Sequence, residues 1–259
     1  MDKEKVVVLI PARLQSTRLP GKIMIDINGK TLIQRVYENV RKVYPKADVF
    51  VAADDMKVVE HAASFGAQSV LTDPKLPSGT DRIAAALKEI DPQGDKYDIV
   101  VNFQGDGVNV DPSLNNELID IMVKTEADIV TVCQEIDDAD EIKNPTIVKI
   151  AMGLRGGEKV GRCLYFSRSA IPYNRDKEGL LDKAYWHIGI YVYNAKSLQR
   201  FVSLPVGVLE NTEKLEQLRA LEDGMSIYAL LVEDVRLIKE APADINTVEE
   251  HQEALKWIK

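Results

Sequence analysis

The amino-acid sequence predicts an α/β protein whose parallel sheet is covered by helices. Short apolar runs alternate with amphipathic helical patterns through the N-terminal half, beginning with VVVLI at 6–10 and TLIQRVYENVRKV at 31–43. Strands separated by helical patterns of roughly 10–15 residues are typical of βαβ units. Parallel sheets of this kind are usually buried on both faces. Functional sites in such sheets lie outside the carboxyl ends of the strands.

The remaining elements follow in order along the chain. Further strands are predicted at 47–53, 68–72, 97–104, 127–136, 146–152, 159–167, 186–194 and 226–233. Further helices are predicted at 58–66, 80–90, 211–223 and 247–256. The polar segment 155–185 interrupts the α/β rhythm, and we interpret the region of about 155–205 as an insertion that covers a site or contacts a partner. No low-complexity linker divides the chain, so we expect one domain over residues 1–259.

Composition excludes several classes of function. The 259 residues carry a formal net charge of −8, which argues against binding to nucleic acid or to a membrane surface. No apolar stretch approaches the roughly 20 residues of a transmembrane helix. The N-terminus shows no secretory signal, and Cys133 and Cys163 are predicted to be buried free thiols. We therefore expect a cytoplasmic protein.

Three cations follow the first predicted strand, in the segment ARLQSTRLPGK at 12–22. The segment is neither a Walker A loop nor a GxGxxG loop. Arg13 and Arg18 could still clamp phosphate oxygens, with Lys22 acting as a mobile point charge. The alternative is a solvated basic loop, which is less expected in an acidic protein. The sequence therefore favours a polyphosphate ligand.

Two further motifs fall at the same predicted edge of the sheet. The strand ending in Gln104-Gly105-Asp106 presents a carboxylate that could ligate Mg²⁺ together with phosphate oxygens, or could simply cap a helix. Ser78-Gly79-Thr80, with Arg82 one turn further on, suits recognition of a heterocycle edge, or is only a helix N-cap. Beside the cationic loop, the metal interpretation of Asp106 is favoured.

Seven motifs occur together and in order: IPARxxSTRLPGK, SGTDR, QGD, NPxxVK (144–149), YFSRxxIP (165–172), HxGIYxY (187–193) and LExxEKLEQLR (209–219). In these residues the chain resembles the 3-deoxy-manno-octulosonate (Kdo) cytidylyltransferases, the CMP-Kdo synthetases of lipopolysaccharide synthesis. The resemblance runs from Val6 to about Glu250. It implies a three-layer Rossmann-like nucleotide-diphospho-sugar transferase fold with a mixed, mostly parallel sheet and an inserted sugar-site and dimerisation region. It also implies a homodimer that uses CTP, a 3-deoxy-octulosonate and Mg²⁺.

The same resemblance implies roles for individual residues. It assigns the nucleotide to Ala12, Arg13, Arg18, Lys22, Ser78, Gly79, Arg82 and Gln104, with catalysis carried by Arg13, Arg18, Lys22 and Asp106. It assigns the sugar acid to Arg168, His187, Tyr191, Glu210, Glu213 and Gln217.

Two departures from the family pattern concern the metal. The usual Gln-Gly-Asp-Glu-Pro is here Gln-Gly-Asp106-Gly107-Val108, and the usual Asp-Thr-Pro-Glu is here Asn246-Thr247-Val248-Glu249. Asn246 can ligate Mg²⁺ through its carbonyl oxygen, and Asp244 could point to the same side of an extended segment. We therefore expect Asp106, Asn246 and Asp244 to hold the metal. An amino-substituted relative of Kdo as acceptor and a weakened nucleotide-binding protein stay open as alternatives.

Overall fold

The structure is a computed structural model that describes residues 1–16, 19–179 and 181–259. The strands are β1 (Val6–Ala12), β2 (Asp26–Ile27), β3 (Lys30–Thr31), β4 (Asp48–Ala53), β5 (Gln68–Leu71), β6 (Ile99–Asn102), β7 (Ile129–Ile136), β8 (Lys149–Gly153), β9 (Val160–Ser167), β10 (Ala184–Asn194) and β11 (Ile227–Val232). The helices are α1 (Leu32–Val43), α2 (Met56–Ser64), α3 (Gly79–Ile90), α4 (Leu114–Thr125), α5 (Ala139–Lys143), α6 (Ala195–Ser203), α7 (Val208–Glu213), α8 (Gln217–Glu222) and α9 (Val248–Trp257). In the described part of the chain, no helix combines the length and apolar character needed to cross a membrane.

The chain divides into two compact units. The first contains Met1–Glu117 and Val235–Lys259, and the second contains Leu118–Asp234. A domain in the strict sense has its own core and could fold alone. Compactness by itself does not test that property, so one domain over residues 1–259 stays a prediction.

The first unit is built on a parallel sheet in the order β5-β4-β1-β6. All seven residues of β1 are buried, which explains why its sequence is a continuous apolar run rather than an alternating one. Helix α1 begins after Thr31, whose side chain accepts a hydrogen bond from the Gln34 main-chain N–H. Its buried residues recur at helical spacing, as predicted for 31–43. The loops after β1 and β6 leave from neighbouring strands.

In the described part of the second unit, the sheet is mixed, and its parallel pair is β7 with β11. Strands β10 and β7, β11 and β9, and β9 and β8 pair antiparallel, and β8 also pairs with β10 at Lys149 and Trp186. Antiparallel neighbours need no crossover helix, which accounts for the few helices between the strands of this half. The predicted α/β class with a mixed sheet is confirmed. The mostly parallel arrangement holds in the first unit only.

One expectation differs from the structure, and a second one stays untested. The helix predicted over 211–223 is two helices, α7 and α8, because Lys214 adopts a left-handed conformation with φ 55° that ends α7. The region 155–205, interpreted as an insertion, contains β9 and β10, which pair within the sheet of their own unit. Its role in dimerisation stays a prediction. Helices α4, α5 and α6 were not predicted from the pattern.

Candidate active site

The loops after β1 and β6 approach each other closely in the first unit. A Cβ atom at Gly105 would lie 2.4 Å from the main-chain oxygen of Pro11, so only glycine fits there without moving the backbone. This contact places the Gln104–Asp106 turn directly against the end of β1. Around it lies a cavity of about 500 Å³, lined by Pro11, Arg13, Gln15, Ser16, Lys22, Ile23, Gly79, Gln104, Gly105 and Asp106.

Lys22 is fixed by a short turn that follows the cationic loop. Gly21 has φ 69°, a left-handed conformation suited to glycine, and starts the 3₁₀ turn Lys22–Met24. The Lys22 ammonium donates to Asp106 Oδ2 at 2.6 Å and to Asn246 Oδ1 at 2.9 Å. Lys22 and Asp106, predicted from separate motifs, are therefore in direct contact. Arg18 lies outside the described residues.

The C-terminal segment brings Asp244 and Asn246 beside Asp106. The Ile245 main-chain N–H donates to the main-chain oxygen of Asp106 at 3.2 Å, and Asn246 Nδ2 donates to Asp244 Oδ2 at 2.8 Å. Desolvation and the negative charge of Asp106 raise the pKa of Asp244, while part of its side chain stays exposed. The predicted position of this segment beside Asp106 is correct, and its role in metal binding stays a prediction.

We name Lys22, Asp106, Asp244 and Asn246 the lysine–carboxylate cluster. It offers two carboxylates, one amide oxygen and one ammonium group. Elsewhere in the described chain, as here, no group of three or more His, Cys, Asp or Glu side chains could hold a metal ion. Any divalent cation at the cluster would therefore need oxygen ligands from a phosphate or from water in addition.

Arg13 extends from the end of β1 and is tied to a neighbouring loop. Its Nη2 donates to the main-chain oxygen of Leu76 at 2.8 Å. Its buried Nε has no hydrogen-bond partner among the described residues. A buried donor without an acceptor is costly, so an anion within reach of this side chain would be stabilised. Ala12, the preceding residue, is buried at the end of β1.

The SGTDR motif forms the start of α3. Ser78 is the N-cap, and its Oγ accepts from the Asp81 main-chain N–H at 3.1 Å and donates to Asp81 Oδ2 at 2.5 Å. The N-cap alternative is therefore present in the structure. Gly79 lies beside Pro11 and lines the cavity described above, so the two interpretations of this motif are compatible.

Arg82 is completely buried, which its sequence did not indicate. Its Nη1 donates to Thr72 Oγ1 at 2.5 Å, and its Nη2 lies 3.9 Å from Asp54 Oδ2. Desolvation lowers the pKa of Arg82, and Asp54 opposes this effect. Asp54 also accepts from the Leu14 main-chain N–H at 2.8 Å, so it anchors the cationic loop. Asp54 was missed in the sequence, where its position directly after a strand was the available signal.

The residues predicted to bind the sugar acid belong to the second unit, and several of them are hydrogen-bonded to one another or to neighbouring side chains. Glu213 accepts from Ser167 Oγ at 2.6 Å and from the Arg168 main-chain N–H at 2.9 Å. Arg168 Nε donates to the main-chain oxygen of Glu213 at 2.8 Å. Glu210 forms a two-point ion pair with Arg219, at 2.6 and 2.7 Å. Both predicted carboxylates are thus already engaged by donors of this unit.

His187, Tyr191 and Gln217 are buried. His187 packs edge-on against Phe166 with ring centroids 4.9 Å apart, and its Nε2 lies 3.1 Å from Thr131 Oγ1. Burial lowers the pKa of His187 to about 3, so its ring is neutral near pH 7. Burial also raises the pKa of Tyr191, so both side chains act as neutral hydrogen-bonding groups. These assignments to the sugar stay predictions.

Comparison with known proteins points to one family. The family model described as cytidylyltransferase matches residues 7–227. Proteins named 3-deoxy-manno-octulosonate cytidylyltransferase are similar to this chain. The one from Paramagnetospirillum magneticum is 44% identical over 92% of this chain and 94% of its own, and the one from Elusimicrobium minutum is 42% identical over 98% of each.

Solved structures agree with these sequence relatives. A CMP:2-keto-3-deoxy-manno-octonic acid synthetase complexed with CTP superposes with a TM-score of 0.84, at 34% identity over 97% of both chains. A cytidylyltransferase from Leptospira borgpetersenii, 18% identical, shares the fold with a TM-score of 0.59 over 95% of this chain and 83% of its own. The chain belongs to the cytidylyltransferase family, within the 3-deoxy-manno-octulosonate cytidylyltransferases.

Proposed function

We propose that this protein transfers the cytidylyl group of CTP to 3-deoxy-manno-octulosonate and releases diphosphate, as a step of lipopolysaccharide synthesis. The anomeric hydroxyl attacks the α-phosphorus, the bond from the α-phosphorus to the bridging oxygen breaks, and the hydroxyl proton passes to solvent. The observation that supports this proposal best is the direct contact of Lys22 with Asp106 beside Arg13, in a chain of this family.

In this proposal the first unit binds the triphosphate through positive charge. Arg13, with an unpartnered buried Nε among the described groups, binds phosphate oxygens bidentately. Lys22 supplies a second, mobile charge next to the negative charge that develops on the leaving diphosphate. Such transfers need little covalent help, so positioning and charge neutralisation carry most of the rate enhancement.

The lysine–carboxylate cluster fits Mg²⁺ by its donor chemistry. Mg²⁺ binds oxygen ligands and usually takes one or two protein carboxylates with phosphate and water. Asp106 and Asp244 supply the carboxylates, and Asn246 supplies a carbonyl oxygen. Asp106 Oδ2 and Asn246 Oδ1 already accept hydrogen bonds from the Lys22 ammonium, which supports the proposal that these oxygens bind a cation. When bound, Mg²⁺ would neutralise charge on the phosphates.

In the second unit, Arg168 is proposed to bind the carboxylate of the sugar acid, and neutral His187 and Tyr191 to bind its hydroxyls. A hydroxyl group is recognised well by neutral groups that can both donate and accept. Glu210, Glu213 and Gln217 complete the proposed sugar side.

The test measures diphosphate release from CTP with Mg²⁺ and a panel of acceptors, including Kdo and its 8-amino relative. We expect release with Kdo, and a loss on the order of 10²-fold or more in Asp106→Ala with normal folding. Glu89→Gln, which removes an exposed carboxylate of α3, is the matched control and should behave as wild type. CTP binding without release for any sugar acid would overturn the proposed activity and favour a weakened nucleotide-binding protein.

A further inference from the structure

Lys149 is a fully buried lysine that ends the NPxxVK motif at 144–149, and the proposed reaction gives it no role. It lies at the start of β8 with 0% of its surface exposed. Lysine is almost never fully buried unless it is paired. Within the described chain, its ammonium donates only to two main-chain oxygens, those of Asn144 at 2.7 Å and Ile147 at 2.5 Å. The positive charge is hydrogen-bonded but has no carboxylate partner.

Arg168 shows the same pattern. Its guanidinium donates to main-chain oxygens of Glu213 at 2.8 Å, Pro145 at 3.0 Å and Lys214 at 3.5 Å. No carboxylate of the described residues forms an ion pair with it. The Glu213 carboxylate instead accepts from Ser167 Oγ and from the Arg168 main-chain N–H. In the described contacts, the carboxylate that lies next to these two cations is that of Glu213.

The two cations are close enough to influence each other. Desolvation lowers the pKa of Lys149, the positive charge of Arg168 lowers it further, and Glu213 opposes both effects. Lys149 is fully buried and Arg168 is half-buried, so water screens this repulsion from the side of Arg168 only. An anion bound near Arg168 would relieve this repulsion.

Lys149 and Arg168 also hold the same turn. The Lys149 ammonium binds the carbonyl oxygens at both ends of the Asn144–Ile147 turn, and Arg168 Nη1 binds the oxygen of Pro145 between them. The β8–β9 register pairs Lys149 with Ser167, the residue before Arg168. Lys149 therefore fixes the surface on which the Arg168 guanidinium rests.

We propose that Lys149 is a positioning residue for Arg168, and that its uncompensated charge makes the acceptor site prefer a sugar with a carboxylate over an uncharged or cationic analogue. This inference rests on the proposed function, which assigns the acceptor's carboxylate to Arg168. Because Lys149 is buried, it acts through Arg168 and through its field, and does not touch the acceptor.

The experiment compares Kdo with its carboxamide, in which the negative charge is removed. Lys149→Gln keeps a hydrogen-bond donor but loses the charge, Lys149→Met loses both, and Lys149→Arg keeps the charge. In Lys149→Gln and Lys149→Met we expect KM for Kdo to rise about 10-fold and KM for the carboxamide by about twofold or less. KM for CTP should be unchanged, and Lys149→Arg should restore most of the preference for Kdo.

Lys183→Gln is the matched control, because it removes one positive charge from an exposed position of the same unit. Its Kdo-to-carboxamide ratio should equal that of wild type. Equal losses for the two acceptors in Lys149→Gln would overturn the proposal, because a purely structural lysine affects both alike. Failure of both neutral variants to give a native near-ultraviolet spectrum would also overturn it, since the ammonium would then serve folding.

The wild-type protein separates this inference from the proposed function. If wild type releases no diphosphate with any sugar acid, the proposed function fails on that result alone. Calorimetric binding of Kdo and its carboxamide to the same variants then tests Lys149 independently. A wild-type preference for the anionic ligand that Lys149→Gln abolishes would support the role of Lys149, and an unchanged preference would overturn it.

Discussion

At the scale of single residues, Asn246 occupies a position where charge matters more than shape. Its Oδ1 accepts from Lys22 and its Nδ2 donates to Asp244, so one amide joins a cation and an anion. Aspartate has almost the same shape, but it would add a negative charge and lose the donor to Asp244. The affinity of the lysine–carboxylate cluster for a divalent cation should therefore depend on this residue.

We predict that Asn246→Asp lowers the Mg²⁺ concentration for half-maximal rate by about two- to fivefold, since hard cations bind anionic oxygen best. Asp244→Asn should raise that concentration. Binding of Mn²⁺ to the nucleotide-free proteins, measured by electron paramagnetic resonance, should rank their metal affinities in the same order without any turnover. Asn116→Asp, at an exposed position of α4, is the control. A higher Mg²⁺ requirement in Asn246→Asp would show that the cluster does not hold the metal.

His187 should make the stability of the fold depend on pH. Because burial lowers its pKa to about 3, the unfolded chain binds a proton below pH 6.5 that the folded chain does not bind. The free energy of unfolding should then fall with decreasing pH, by at most about 1.4 kcal/mol per pH unit from this residue. Urea unfolding at pH 7 and pH 5 should show a smaller decrease in His187→Gln than in wild type. Equal decreases would mean that the histidine titrates normally in the folded protein.

At the scale of elements, the start of α9 determines where Asn246 lies. Thr247 and Glu250 form a capping box, in which Thr247 Oγ1 accepts from the Glu250 main-chain N–H at 3.2 Å. Glu250 Oε2 in turn accepts from the main-chain N–H groups of Thr247 at 2.9 Å and of Asn246 at 2.6 Å. One helix cap therefore also fixes the backbone of the lysine–carboxylate cluster.

We predict that Thr247→Ala lowers the free energy of unfolding by about 1 kcal/mol, the usual cost of losing an N-cap. Glu250→Ala should lower the free energy of unfolding as well. It should also raise the Mg²⁺ concentration for half-maximal rate, because the Asn246 main-chain N–H loses its acceptor. Thermal unfolding and Mg²⁺ titration of the rate measure the two effects separately. Thr247→Ser, which keeps the hydroxyl, is the control. An unchanged Mg²⁺ requirement in Glu250→Ala would show that the helix cap does not influence metal binding at the lysine–carboxylate cluster.

The elements also show how far the sequence could be interpreted. Helices such as α1 and strands such as β1 were predicted because their apolar periodicity reflects burial directly. The break between α7 and α8 was not, because Lys214 has no preference for φ 55° that a pattern could reveal. Arg82 was expected to bind the nucleotide, but it is buried and donates to Thr72. The sequence pattern did not reveal this burial, because Thr72 lies ten residues away and reaches Arg82 only in the folded chain. The position of Asn246 in the same cluster as Asp106 was predicted from family motifs, not from apolar periodicity.

At the scale of the whole molecule, the homodimer that the family resemblance implies stays a prediction. Strands β9 and β10 of the region of about 155–205 pair within their own unit, so their backbone groups are bonded without a partner chain. What this region still exposes is apolar side chains, with Leu164 63% and Tyr173 73% exposed. Single exposed apolar side chains are common on monomers, so these two serve to test the predicted dimer rather than to support it.

We predict that sedimentation equilibrium at micromolar concentration gives about twice the chain mass of 28.9 kDa. Leu164→Glu should shift the protein toward monomer, because a buried charge at an interface is costly. Leu237→Glu, which changes a similarly exposed leucine in the first unit, should leave the mass unchanged. A wild-type protein that sediments as a monomer would refute the dimer.

The double pairing of β8 in the second unit has a consequence for association. Strand β8 pairs with β9 along its length and with β10 at Lys149 and Trp186, so among the described residues the pairing of the five strands returns to its starting point at this one bridge. A free edge is what allows a foreign strand to add to a sheet and begin aggregation. The first unit, by contrast, ends at β5, a strand of only four residues. In the second unit, the pair of Lys149 and Trp186 closes the start of the second edge of β8, so a foreign strand that adds there would have to displace this pair.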